Sequence, residues 1–158
     1  MFRGMRRFRQ QITDEECIEV LVNEKRGVLS MLGDDGYPYG IPLNHLYCKE
    51  DGNIYFHGAK EGHKIDSILC CDKVCYTVFE EGYRKEGEWS LNARSVVVFG
   101  RISLVEDEEK KAEICAALGR KFTDDSEYLE KELKNNLERV MCLMIKPEHI
   151  TGKLVNES

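Results

Sequence analysis

The sequence predicts a mainly β fold: one antiparallel sheet, closed or partly closed into a small barrel, with helices at its periphery. Three observations carry this. Five or six β-prone runs are joined by tight turns, and short connections suit antiparallel neighbours. Helical and strand patterns do not alternate strictly, which argues against a parallel sheet. Barrel closure hides the edges that such a sheet would otherwise expose. The 158 residues are 42% apolar and 33% charged, which supplies a core and excludes a disordered chain. With no repeat or linker, residues 1–158 read as one domain.

Each element follows in order. Thr13 and Glu16 form a T-x-x-E capping box, and Ile12 and Cys17 a hydrophobic staple. Ile18, Leu21 and Val22 make an apolar stripe, and Gly27 is the expected helix end. VLSML (28–32) is a strand, and GDDG a turn. Residues 39–47 are a second strand, in which Pro42 has no N–H to donate and marks an edge or bulge. Asp51-Gly52 is a hairpin turn before a third strand, 53–58, with Ile54 and Phe56 on one face and Tyr55 and His57 on the other. Ile65, Ile68 and Leu69 have helical spacing. Residues 73–80 are a fourth strand, 81–93 a polar loop with Trp89, and 94–105 a long strand with Gly100 at a bend or bulge. Two helices over 106–120 and 126–139 precede a last strand, 140–145, ended by Pro147; ITGK forms a short extended tail.

Charge and cysteine usage bound the partners. The net charge of −6 argues against a nucleic-acid binder. Arg3, Arg6, Arg7 and Arg9 are a local exception, read as a loose basic segment over 1–10. No apolar run approaches the roughly 18–20 residues of a membrane span, and no apolar segment follows the basic start as in a secretory signal. A cytoplasmic protein is expected. The seven cysteines then read as reduced thiols, mostly small core residues. No spacing among them matches a zinc site, and no metal is expected.

The segment Ile54–Lys64 reads strand, turn, helix. Gly58, Ala59 and Gly62 leave the backbone open, and a helix start offers free N–H groups to an anion. His63 and Lys64 add positive charge. This is a phosphate cradle or an ordinary strand-to-helix turn; neither the P-loop nor the dinucleotide fingerprint is present. Pro42, Leu43, Asn44 and His45 lie on a proline-interrupted strand whose free backbone groups suit a planar ring, or they form a plain edge. Arg94 and Ser95 open a very apolar strand, at the barrel rim or pointing into a site.

Four segments run in order: GVLSMLGDDGYPYGIPLNHLY, IYFHGAKEGHKIDSI, RSVVVFGRISLVEDEEKK and EHITGK. With the initial MRRFRQQIT they closely resemble the 5-nitroimidazole-resistance proteins of the pyridoxamine 5′-phosphate oxidase-like, FMN-binding split-barrel superfamily. The resemblance implies a six-stranded antiparallel split β-barrel with flanking helices, and a homodimer with FMN at the interface. It makes Gly58, Ala59, Gly62, His63 and Lys64 the phosphate cradle and runs Pro42, Leu43, Asn44 and His45 along the flavin ring. Arg94, Ser95 and Val96 would sit near the ring or ribityl chain, with His57 or His45 stacking on the ring and Trp89 covering flavin or substrate. His57 and His63 are the expected proton-transferring residues. The implied activity is reduction of a nitro group or another small electron acceptor, with NADH or NADPH as donor. Its rivals are a non-catalytic flavin-binding or storage protein, a haem-binding split barrel, and pyridoxamine phosphate oxidation itself. The loop EEGYRKEGEWSLNA departs from the family pattern, and this loop would shape the substrate pocket.

Overall fold

A computed structural model describes residues 1–157. The strands are β1 (Arg26–Leu32), β2 (Pro38–Asn44), β3 (Leu46–Tyr47), β4 (Ile54–Ala59), β5 (Lys73–Phe79), β6 (Leu91–Val105) and β7 (Val140–Glu157). The helices are α1 (Asp14–Asn23), α2 (His63–Cys70), α3 (Glu108–Arg120) and α4 (Ser126–Asn136). The strands form one antiparallel sheet in the order β2-β1-β5-β6-β7-β4-β3. The sheet curls until β2 and β4 meet across a split. Among the described residues, no helix is long and apolar enough to cross a membrane.

Local chemistry sets these elements. Thr13 and Glu16 close the capping box on α1, with bonds of 3.2 and 2.8 Å. Asp107 and Asp125 cap α3 and α4 through the N–H groups of Lys110 and Tyr128. The GDDG turn places Asp35 and Gly36 at φ 53° and 77°, a left-handed pair that reverses the chain between β1 and β2. Pro42 lies on edge strand β2, where its missing N–H breaks no internal ladder. The barrel interior holds Val20, Leu21, Leu29, Phe56, Tyr76, Val78, Val96 and Val98. A smaller cluster of Tyr55, Ile114, Leu118 and Cys142 joins α3 to the outer face of β4 and β7.

Several expectations are corrected. Helix α1 ends at Asn23, and Gly27 lies inside β1 with the Tyr76 ring packed over it. The buried stripe of α1 is Cys17, Val20 and Leu21, while Ile18 and Val22 are half-buried. On α2, Ile65 and Ile68 are buried and Leu69 is exposed. The single strand expected over 39–47 breaks at His45, so β2 and β3 lie at opposite ends of the sheet order, and six strands become seven. Strand β6 starts at Leu91, because Asn92 pairs with Tyr83 inside the expected loop. Pro147 does not end β7; it pairs with Gly100 at a bulge, where proline is tolerated. Gly100 is required there, since a Cβ would lie 2.5 Å from the Lys146 carbonyl oxygen. The N-terminal segment makes contacts with β6 and β7: Phe2 stacks on His149 at 4.8 Å, Phe8–Gln10 form a 3-10 turn, and Gln11 bridges to Lys153. Its arginines remain exposed.

The corner at His45 is fully enclosed. Its ring Nε2 donates to the Leu21 carbonyl at 2.7 Å, and Nδ1 lies 3.0 Å from the Tyr76 hydroxyl. Its N–H donates to the Lys25 carbonyl, and its own carbonyl accepts from the Lys121 ammonium at 2.8 Å. Lys121 also donates to the Glu24 carbonyl, beyond the end of α1.

Two predictions follow from this interior. Gly27→Ala forces a methyl to within 2.7 Å of the Tyr76 ring and 2.5 Å of the Thr77 oxygen; urea unfolding should register a loss of about 1–3 kcal/mol. Burial, and then the Lys121 charge, pull His45 from 6.5 down to about 4. The unfolded chain therefore binds this proton first as pH falls. Stability should drop by at most about 3 kcal/mol between about pH 6.5 and about pH 4. His45→Gln, less stable at neutral pH, should show a flatter profile over that window in unfolding titrations.

Candidate functional site

The split brings together residues far apart in the chain. Pro42, Leu43 and Asn44 on β2, His57 on β4 and Arg26 on β1 line one cavity of about 250 Å³. A neighbouring cavity of about 220 Å³ lies beneath the α3–α4 hairpin and shares Asn44 and His57 with the first. A third, of about 590 Å³, shares Arg26 and Pro42 and extends to Val28, Phe79 and Phe122. The first cavity joins the other two, sharing His57 and Asn44 with the second and Arg26 with the third. Arg26 Nε donates to Asn44 Oδ1 at 2.8 Å, which aligns the amide along the strand. Burial, and then Lys64, hold the His57 imidazole below its ordinary pKa, so it is neutral near pH 7.

The turn after β4 forms a second part of the site. Gly58 has no side chain, and the Lys64 ammonium occupies the space above it; a Cβ at Gly58 would lie 2.7 Å from Nζ. Gly62 precedes α2 at φ 119° and supplies no side-chain cap, which leaves the first-turn N–H groups of His63 and Lys64 without a side-chain acceptor. Lys64 forms no ion pair among the described residues. Burial lowers its pKa, which is the cost of holding a cation there unpaired. The turn thus sets one unpaired ammonium beside free helix N–H groups, a combination whose chemistry favours negative charge.

Other candidate residues lie elsewhere. His63 does not join His57; its ring stacks on Tyr39 at 4.1 Å and sits 3.6 Å from Asp34, against the β1–β2 hairpin. His45 is 0% exposed and is enclosed by Leu21, Tyr76 and Lys121. The Arg94 guanidinium is held by Glu80 and Glu19 at 2.6 Å each, beside a cavity lined by Glu16 and Glu81. Ser95 faces outward between Phe79 and Lys153, while Val96 points into the core. Ala59 is exposed at the end of β4. Trp89 stands 74% exposed on its loop, and its carbonyl accepts from Arg84.

Arg26 and the α3–α4 cover are the residues that sequence reasoning missed. A signal for Arg26 exists. The Gly33 N–H donates to the Tyr37 carbonyl, so residues 34–36 form a three-residue connection that sets the β1–β2 register, Leu32↔Pro38 through Arg26↔Asn44. Counting back from that turn puts Arg26 opposite Asn44. No comparable signal places the Phe122 and Leu129 region over His57, because that contact depends on tertiary packing.

The fold has relatives among solved structures. A proposed 5-nitroimidazole antibiotic resistance protein from Bacteroides thetaiotaomicron aligns at TM-score 0.75 and 20% identity, over 99% of this chain and 92% of that one. An FAD-binding protein from Mesorhizobium loti aligns at TM-score 0.65 and 24% identity, over 92% and 97%. A flavocytochrome from Azotobacter vinelandii aligns at TM-score 0.76 and 20% identity, over 97% and 72%. These likenesses are of fold. No curated protein sequence matches the chain significantly. A family model described as pyridoxamine 5′-phosphate oxidase matches residues 13–154, nearly the whole of the sheet and its helices, and the chain therefore belongs to that family.

Proposed function

We propose that this chain is a flavin-binding oxidoreductase that holds FMN with its phosphate against Gly58–Lys64 and its ring along Pro42–Asn44. Electrons enter from NADH or NADPH and leave to a small electrophile such as a nitro compound. The observation that carries this reading is the half-buried Lys64 ammonium, set over a glycine beside an uncapped helix start with no carboxylate partner. A dianionic phosphate would supply the missing charge and accept from the free N–H groups. The structural relatives described as FAD-binding and as a flavocytochrome support a flavin on this fold.

The bound flavin supplies the hydride and electron chemistry. The chain supplies position, charge and protons. Lys64 neutralises the phosphate. Arg26 and Asn44 present donors at the split, where they would stabilise negative charge on the ring's polar edge. His57, neutral and lining the same cavity, can take a proton on its unprotonated ring nitrogen and return it to the acceptor. The α3–α4 hairpin closes the far side of the cavity and limits water entry.

A homodimer completes the reading. Two rows cross the outer sheet face: Pro42–Val28–Thr77–Val97–Thr151 and Gly40–Ser30–Cys75–Phe99–His149. Neither contains a Lys, Arg, Asp or Glu. An uncharged, part-exposed strip five strands wide, next to the candidate ring site, suits a second copy of the chain. Trp89, exposed on its loop, then offers an aromatic surface to a partner's site.

The first test is a visible spectrum of the purified protein with anaerobic NADH or NADPH. Bleaching of a flavin band, restored by a nitroimidazole, is the expected result; a flavin that stays oxidised with both donors identifies a binding or storage protein instead. Lys64→Ala should raise the Kd for FMN about 10–100-fold, the loss of one charged contact. Affinity for riboflavin, which lacks the phosphate, should not change, and an equal loss for both ligands would remove the phosphate role. Val28→Lys, which puts a charge in the uncharged strip, should yield monomers by light scattering with weakened flavin retention.

A further inference from the structure

We propose that Cys115 and Cys142 are an oxidation site, a dithiol that closes to a disulfide on reaction with a hydroperoxide. The two sulfurs lie 3.6 Å apart, Cys115 on α3 and Cys142 on β7. Bond formation needs an approach of about 1.6 Å from that separation, which a rotamer change and a small shift of α3 supply. Both cysteines are free thiols; Cys142 is fully buried and Cys115 is half-buried. Cys115 lines the cavity beneath the α3–α4 hairpin, so a small oxidant entering there meets Cys115 and not Cys142. The pair is thus divided into an attacking and a resolving thiol by access alone. Two further features fit this order. The Cys115 sulfur lies within hydrogen-bond range of the Cys142 thiol, and the Lys111 ammonium lies near both; these influences lower the Cys115 pKa and favour its thiolate.

The chemistry balances. The Cys115 thiolate attacks one peroxide oxygen and breaks the O–O bond, giving a sulfenic acid and, after protonation, one water or alcohol. The Cys142 sulfur then attacks the Cys115 sulfur; the S–O bond breaks and a second water leaves with the Cys142 proton. The two thiols lose two electrons, and the peroxide gains them. The new bond ties α3 directly to β7 and closes a loop containing all of α4. It fixes the base of the hairpin that covers His57 and Asn44.

The test uses the full-length protein, reduced, desalted and treated with one equivalent of hydrogen peroxide. Free thiols should fall by two, from seven to five. Non-reducing peptide mapping should show tryptic peptides 112–120 and 140–153 joined. In Cys115→Ala, six thiols should remain at the same dose, while Cys48→Ser should still form the 115–142 link. A link between other cysteines, such as the adjacent Cys70 and Cys71, or no loss of thiols in the native protein, would overturn the proposal. The native protein's peptide map decides the matter even if a variant folds poorly. Because the thiol count needs no cofactor, failure here leaves the flavin reading intact, and failure of flavin binding leaves this proposal intact.

Discussion

The architecture hinges on enclosing one polar residue at a corner. After Asn44 the chain leaves the β1 edge and crosses to the opposite end of the sheet order, and His45 is the residue at the crossing. Such a corner cannot use sheet pairing, so its backbone and ring need other partners. They come from four directions: the Leu21 and Lys25 carbonyls, the Tyr76 hydroxyl and the Lys121 ammonium. Tyr76 in turn fits only because Gly27 has no side chain beneath it. Helix α1, strands β1 and β5, and the end of α3 are thereby fixed relative to one another through a single imidazole. The candidate site lies one residue away, at Asn44, and inherits that rigidity.

The fate of each cation separates structural from functional roles. Arg94 is engaged by two carboxylates, and Arg101 by Asp72 and Glu148. Lys121 has backbone carbonyls. Lys64 has neither, although it is partly withdrawn from water. Desolvating a charge without a partner costs stability, and this is why the proposed phosphate contact is placed on Lys64 and not on the paired cations. The same contrast bears on Arg94, which the sequence offers as a ring contact and the fold engages with Glu80 and Glu19. A guanidinium at the start of an apolar strand looks available in one dimension, but Glu80 pairs with it across β5 and β6 only after folding.

Local rules carried the sequence reading as far as they reach. The capping box of α1, the Asp-Gly turn, the edge proline and the Gly100 bulge are legible because each is decided within a few residues. The strand–turn–helix around Gly58 and Lys64 is legible as a pattern, and its reading as a phosphate cradle comes from the family resemblance. What escaped depends on distant packing. Gly27 resembles a helix terminator until Tyr76, 49 positions later, is seen over it. Pro147 resembles a strand stop until Gly100 is opposite it. His45 resembles a ligand contact because burial cannot be read from a histidine beside an amphipathic strand. His63 is expected beside His57 as a proton-transferring residue, yet Tyr39 and Asp34 hold its ring against the β1–β2 hairpin.

Strand β7 sits between β6 and β4, pairing with β4 over 140–145 and with β6 over 142–157. Without it, the sheet is two separate pieces, a four-stranded β2-β1-β5-β6 ribbon and a short β3–β4 hairpin. Neither piece can exclude water from the shared interior. On a ribosome, those pieces would emerge and wait with apolar faces uncovered while the α3–α4 hairpin, whose contacts are local, forms alone. Pairing β4 with β7 closes a long chain loop, an entropic cost that slows folding relative to a helical bundle of equal size. The strand that makes the barrel whole is therefore also its kinetic bottleneck, and the interval before it docks is when chaperone capture or misassociation of half-built barrels would occur.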